Sequence, residues 1–536
     1  MKKTLTAIIV LILSLIPLYA GGSAESTADN VAVAEDFVVS YPVANDGQTL
    51  DIWCPIQAPA AKYITSYNEQ EIYNEIEKNT GISTNYIHPA LGQEKEQLGL
   101  LIAGGDLPDI IQIRDLYSGG ASSGVDDGIF YDLTDLVKTY APDYYALITQ
   151  DDLTYKLATD NDGRIVAFHL LKSTAPEFNR INFTDAVIEK YGIEEMPVTL
   201  DDYEEIFSRM AADGLAGFAL PMNGQLDQFM WPFGITTGFF LDENGNVAYG
   251  AYTEEYRDYL ELMHDWYSKG YIYKDFMSNL STNQRRALYS NLQVGMLYDA
   301  VDLAKSQAES AGLKSYPANY PRQYEGQQIP FRTVYEETLP VTQSGSSMAT
   351  VVTTSCENPE LAVQYLNYFY TQEGADLCNW GIKDKAYTVD ENGQKHFTDY
   401  MLNNPDIALG DVQTLLKIHL TAKLAEPDVV CNPNVISNEE ALELRMMYSD
   451  DPNVDDSQVL PVFDLSAEAA YDRSRILRDI TTYIDEMTVK FITGATPLTE
   501  YDSYMAQLKS MGIEDAIAIT QQEYEKFMSK PGLESL

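Results

Sequence analysis

The segment Leu100–Asp115, Leu-Leu-Ile-Ala-Gly-Gly-Asp-Leu-Pro-Asp-Ile-Ile-Gln-Ile-Arg-Asp, constrains the fold of this chain more than any other stretch. An apolar helix end breaks at Gly104-Gly105. Asp106 and Pro108 stop its continuation, and Asp109 to Ile113 then reads as a short buried strand. A helix running through glycines into a buried strand is one repeat of an α/β sheet. In open sheets of that type, ligands sit outside the strand ends. Arg114 and Asp115, which follow the strand directly, are therefore candidate ligand-binding residues.

The alternation extends in both directions. Leu50–Ile56 reads as a first strand, ending near Trp53. Ser66 and Glu69 form a capping box for a helix that buries Ile72 and Ile76 and stops at Gly81. Ser83–His88 is the next strand, and a second helix runs up to Gly104. This order predicts a parallel sheet covered by helices. Further on, Ile165–Leu171 and Met348–Ser355 read as strands. Thr199 with Asp202, Thr253, Asn358-Pro359 and Thr496-Pro497 mark helix starts, and Gly214, Gly270 and Gly512 mark helix ends. The chain has 536 residues, beyond the roughly 250–300 at which a single core stops growing, so at least two lobes are expected.

The first twenty residues read as a cleavable export signal. Lys2 and Lys3 precede an apolar run, Leu5 to Leu18, and Leu18-Tyr19-Ala20 supplies the small residue at the cleavage point. That run is shorter than the ~20 residues a membrane span needs. No Cys stands near Ala20, so the usual lipid-anchor site is absent. A periplasmic or extracellular location is expected. Residues 21–36 are small and polar and read as a disordered leader.

A net charge of −46 excludes nucleic acid and anionic lipid as partners, because both require a basic footprint. The four cysteines, Cys54, Cys356, Cys378 and Cys431, allow three complete pairings in an oxidising compartment, or remain as buried free thiols. Their spacing matches no metal knuckle. The five histidines show no metal-ligand spacing, and His264, beside an apolar helix face, reads as structural. Gly120-Ala-Ser-Ser-Gly124 matches GxSxG but lacks the strand before it and the helix after it that a nucleophile elbow requires. It reads as a loop. Asp160-Asn-Asp-Gly163 and Asp242-Glu-Asn-Gly-Asn246 read as turns rather than calcium loops. No cofactor, metal or catalytic group is expected.

Several ordered blocks carry a family resemblance. Glu77-Lys-Asn-Thr-Gly-Ile82 and Leu101–Ile111 come first, followed by Asn179–Tyr191, Thr199–Tyr203, Tyr267–Tyr271 and Val294–Leu297. Cys356–Ala362, Phe369–Gly374, Trp380–Ile382 and Phe491–Gly494 complete the series. Together they resemble bacterial extracellular solute-binding proteins of family 1, the maltose-binding-protein-like receptors of carbohydrate ABC importers. The resemblance implies a two-lobe, type II periplasmic-binding-protein (Venus-flytrap) α/β fold with discontinuous lobes and a hinge. By analogy, residues 37–172 and 343–388 form lobe 1, and residues 173–342 and 389–536 form lobe 2.

The implied function is capture of an oligosaccharide or decorated sugar by hinge closure and delivery to ABC permease subunits, by a monomer. Sugars need aromatic rings against their apolar faces and planar polar groups for their hydroxyls. Trp231, within Asp227-Gln-Phe-Met-Trp-Pro-Phe-Gly234, resembles the aromatic-proline block that borders the sugar in maltose-binding-like receptors. Its replacement by alanine is expected to weaken glycan binding with little loss of folding. Trp53, Tyr298 and Asp299, at strand ends, are further candidates, while Trp266 and Trp380 read as packing residues. The family places ligand contacts at the positions of Arg114 and Asp115. The rival expectation is a secreted carbohydrate-active enzyme with two carboxylates roughly 5–9.5 Å apart.

Overall fold

The computed structural model of the protein describes residues 39–536 except 44–46, 114–115, 174–178, 279, 332–337, 341, 344–345, 348, 408, 427–430, 432–442, 445–446, 448–450 and 464. The expected export signal, residues 1–20, and leader, 21–36, lie outside the described residues, as do Arg114 and Asp115. No helix among the described residues is long and apolar enough to cross a membrane.

A seven-stranded sheet organises the first core. Strand Thr49–Trp53 pairs in parallel with Ser83–Ile87 on one side and Ile110–Gln112 on the other. The capping box is present: Ser66 accepts from the Asn68 amide, and Glu69 Oε1 accepts the Ser66 amide at 3.0 Å. It opens a single 3-10 turn, and the α-helix Glu71–Thr80 follows. That helix closes on Gly81 at φ 73°, a left-handed conformation that glycine adopts without strain. Strand Ala349–Val352, from far later in the chain, inserts antiparallel between Ile110–Gln112 and Phe168–Ser173. Strands Thr338–Pro340 and Lys423–Ala425 also pair with Phe168–Ser173.

The second core has a three-stranded antiparallel sheet, with Asn179–Thr184 between Met296–Ala300 and Ser315–Pro317. Helices Leu200–Ala212, Glu255–Ser268 and Ala467–Thr493 contribute Phe207, Trp266 and Ile484 to its interior. Its rings meet edge to face, as Phe207, Phe229 and Trp266 do, with the Trp266 centroid 5.3 Å from Phe207 and 5.1 Å from Phe229. In the 27-residue helix Ala467–Thr493, Ile480, Ile484, Thr488, Phe491 and Ile492 bury one face at helical spacing.

The two cores account for discontinuous lobes. The first draws on Leu50–Leu171 and then Val352–Ala422; the second on Ile181–Phe331, Val454 and Ile480–Ile513. The first core draws on the chain as far as Ala422. Leu415, Ile418, Leu420 and Ala422 bury there, and Lys423–Ala425 gains backbone partners on Phe168–Ser173. A three-residue strand has too short a pattern to announce itself in sequence.

Three further expectations resolve here. None of the four cysteines is in a disulfide, and all four are buried. Burial pushes the Cys356 and Cys378 thiols up to about 12, with Asp109 adding to the shift at Cys356, so both stay protonated and unreactive. Gly120–Asp126 is a short helix rather than the expected loop, and its serines lie inside that helix rather than at a strand-to-helix elbow. His264 Nδ1 lies 3.1 Å from the Ile492 carbonyl, a structural contact.

A reciprocal clasp joins an element of each core. Lys156, in helix Asp152–Ala158, donates to the Met528 carbonyl at 2.9 Å, at the end of helix Ile513–Met528. Lys530 donates back to the Thr159 and Lys156 carbonyls at 3.0 and 3.3 Å. Each helix end thus receives a cation that satisfies its exposed carbonyls. Lys530→Ala should lower unfolding free energy by about 1–3 kcal/mol in urea titrations, the usual range for a charged hydrogen bond.

His169 lies beside the clasp, buried and 2.9 Å from the Tyr144 hydroxyl. Burial, reinforced by the Lys530 charge, lowers its pKa to about 4. The unfolded chain titrates near 6.5, so below that pH it binds the proton that the native state refuses. This contribution is complete above pH ~6.5 and is lost as pH falls toward 4, on the order of 3 kcal/mol in total. Denaturant titrations across that window should show the slope in wild type and a flatter profile in His169→Gln.

Candidate functional site

The most chemically loaded region is the end of the second core's sheet, where strands Asn179–Thr184 and Met296–Ala300 pair. Arg180 stands opposite Asp299 in the register, and Ile181 opposite Tyr298. Asp299 is 9% exposed and is held by Arg286, with Nε–Oδ2 at 2.5 Å and Nη2–Oδ1 at 3.0 Å. Its Oδ1 also accepts the Ala300 amide at 2.8 Å. The hydrogen bond to Asp299 raises the Arg286 pKa, and the two-point contact fixes the geometry of the pair. Tyr298 is partly buried and lines a small cavity of about 30 Å³ with Leu226, Arg285 and Leu297.

Trp231 belongs to the same core. Residues Asp227–Met230 form one helical turn, and Pro232 follows in the 3-10 turn Trp231–Phe233, which closes on Gly234 at φ 73°. The Asp227 carboxylate ties the block together: it accepts the Thr237 amide at 2.7 Å and the Thr236 hydroxyl at 2.9 Å. The indole Nε1 of Trp231 donates to Thr236 Oγ1 at 3.3 Å. Trp231 lies 5.1 Å from Tyr320, whose ring carries the Arg180 guanidinium at 4.3 Å. Trp231 and Tyr320 meet at a tilt of 58°, and the Arg180 guanidinium lies over the Tyr320 ring, so the three buried side chains connect the aromatic-proline block to the strand end.

Three candidates converge here: Trp231, Tyr298 and Asp299. Trp53 does not join them. It is 1% exposed and packs with Ile111, Ile113 and Val351 in a separate apolar cluster of the large sheet. The indole therefore fills core volume and presents no ring face to a ligand. Sequence reading missed Arg180, Tyr320 and Arg286. A charged residue inside the otherwise buried run Asn-Arg-Ile-Asn-Phe-Thr was the available signal for Arg180. Tyr320 and Arg286 reach the site only through tertiary packing.

The acidic turns are occupied by their own backbones. Asp242 Oδ1 accepts the Asn244 and Asn246 amides at 2.9 and 2.8 Å, and Asp160 Oδ1 accepts the Asp162 and Arg164 amides at 3.0 and 2.9 Å. Among the described residues, no group of three or more His, Cys, Asp or Glu side chains is placed to hold a metal ion.

Trp231 is only 5% exposed. Its replacement by alanine opens a core cavity, contrary to the sequence expectation of little folding loss. Trp231→Ala should cost about 3–5 kcal/mol in chemical denaturation, the range for large aromatic truncations. Gly250→Ala should act on the same block from behind, because a Cβ there would meet the Thr236 carbonyl oxygen at 1.8 Å. Loss of the Trp231 near-ultraviolet dichroism band with secondary structure retained would register that displacement.

The chain was compared with known proteins. Over 495 residues it is 22% identical to the fructooligosaccharide ABC transporter substrate-binding protein FusA of Streptococcus pneumoniae, covering 86% of this chain and 88% of the relative. Over 250 residues it is 25% identical to the polygalacturonan/rhamnogalacturonan-binding protein YtcQ of Bacillus subtilis, covering 43% and 47% of the two chains. The fold matches an extracellular solute-binding protein of Bifidobacterium longum subsp. infantis with a TM-score of 0.66 at 16% identity, over 89% of this chain and 98% of that one. This is the two-lobe type II periplasmic-binding-protein fold. Residues 58–376 match the family model described as bacterial extracellular solute-binding protein, and the chain belongs to that family.

Proposed function

We propose that the protein is an extracytoplasmic receptor that captures an oligosaccharide or decorated sugar and delivers it to the permease subunits of an ABC importer. The observation that carries this reading is the two-lobe fold of the extracellular solute-binding family, matched over 86% of the chain by a relative whose name states fructooligosaccharide transport. The relatives named above carry carbohydrate binding in their own descriptions, which supports the same ligand class.

The mechanism follows from two cores linked by strand crossings. Sugar bound against one lobe adds contacts to the other and shifts an open–closed equilibrium, and only the excess affinity for the closed form drives that shift. The permease then reads the closed surface. The two carboxylates of the site, Asp227 and Asp299, are already engaged by threonines and by Arg286. A glycosidase needs a free pair, so these commitments favour capture over hydrolysis. Arg114 and Asp115 keep their proposed place as contacts from the first lobe.

The test is a glycan panel followed by titration calorimetry and intrinsic tryptophan fluorescence. At least one oligosaccharide should bind at one site per chain with micromolar or tighter affinity, about −8 kcal/mol or better. The same glycan should be recovered uncleaved after prolonged incubation. Cleaved product, or no binding across the panel, would overturn the reading.

A further inference from the structure

Arg180 is an anomaly that sugar capture alone leaves unexplained. It is 2% exposed, yet no carboxylate among the described residues pairs with it. Its Nη1 donates to the Asn179 carbonyl at 3.1 Å and to the Tyr320 hydroxyl, while Tyr320 covers one face of the guanidinium. Nε and Nη2 have no hydrogen-bond partner. Those two nitrogens share one edge of the group, the edge that accepts both oxygens of a carboxylate side-on. A buried charge without a counter-ion is strongly unfavourable. Asp299 stands opposite in the register, but Arg286 engages both of its oxygens.

A second observation lies on the same strand face. Asn182, two residues along, points to the same side as Arg180 by the two-residue period of a strand. It is fully buried, and its amide nitrogen serves the carbonyls of Arg180, Leu297 and Asp299. Its Oδ1 accepts nothing. Buried polar groups are ordinarily satisfied, so two unused donors and an unused acceptor on one strand face require an explanation. Arg285 adds a second guanidinium without a carboxylate partner among the described residues: it donates to the Leu280 carbonyl and the Thr282 hydroxyl and lines the cavity beside Tyr298.

We infer that the captured sugar is acidic, with a uronic acid unit whose carboxylate docks side-on against Nε and Nη2 of Arg180 and whose hydroxyl donates to Asn182 Oδ1. This rests on the sugar-capture reading above and deepens it. The edge is buried in this structure, so a ligand reaches it only when the packing around it opens. The overall charge of −46 repels such a ligand from the bulk surface. Recognition is therefore local: a desolvated fork that an anion satisfies and a neutral sugar leaves unpaired.

The test compares oligogalacturonate, oligomannuronate and oligoguluronate trimers with the same trimers fully methyl-esterified, which keeps the sugar and removes the charge. Calorimetry should show at least one acidic trimer binding ten-fold or more tightly than its ester. Arg180→Gln should erase that preference, lowering affinity for the acidic trimer at least five-fold more than affinity for its ester, and Arg180→Lys should restore part of it. Acidic and esterified trimers of equal affinity, or an Arg180→Gln variant that weakens both alike, would overturn the inference and leave sugar capture standing. No binding of any oligosaccharide by the wild type would remove both. If Arg180→Gln fails to fold, the wild-type comparison of acid with ester still decides the question.

Discussion

The backbone pairing of Ala349–Val352 between Ile110–Gln112 and Phe168–Ser173 is the constraint on which the rest of the structure depends. A strand that forms after roughly 350 residues of synthesis fills the gap in a sheet begun near residue 49. Without it, two strand edges and their apolar faces would stay open to water. Its arrival obliges the intervening chain to fold as a separate core and return. Phe168–Ser173 sits at the junction, since it also takes Thr338–Pro340 and Lys423–Ala425 as neighbours. Discontinuous lobes follow from that hydrogen-bonding requirement.

Charge and aromatic content divide the labour in the second core. The chain carries 81 acidic and 35 basic residues, so most carboxylates must remain solvated at the surface. Against that background, Arg180, Arg285 and Arg286 gather at one end of a three-stranded sheet. The rings around them are fixed by hydrogen bonds as well as by packing. Tyr259 donates to the Gly224 carbonyl at 2.6 Å, and Tyr256 and Thr488 share a hydrogen bond at 2.6 Å across 232 residues of sequence. A buried tyrosine whose hydroxyl has one defined partner cannot rotate freely, and that rigidity passes to the Trp231 block through Leu226, whose amide donates to the Tyr259 hydroxyl at 3.1 Å.

Local chemistry was readable wherever it is self-contained. The capping boxes at Ser66 and Thr199, the Asn358-Pro359 start and the left-handed glycines 81 and 512 depend on residues a few positions apart, and all are present. The site was only partly readable. Trp231, Tyr298 and Asp299 belong to one core, yet the burial of Trp231 and the engagement of Asp299 by Arg286 were invisible, because both depend on partners that the chain brings from elsewhere. The burial of Trp53 was hidden for a related reason: Ile111, Ile113 and Val351 reach its ring only through tertiary packing.

The amino-acid sequence by itself determined the α/β class, the need for two lobes and the acidic surface, because periodicity, length and charge are additive along the chain. Only the tertiary structure decided which strands become neighbours, where the chain passes between cores, and which polar atoms are left without partners. Those outcomes depend on contacts between residues hundreds of positions apart. The unpaired edge of Arg180 is the clearest case. In sequence it is one arginine in a short strand; its meaning comes from Tyr320 across its face and from an Asp299 already held by Arg286.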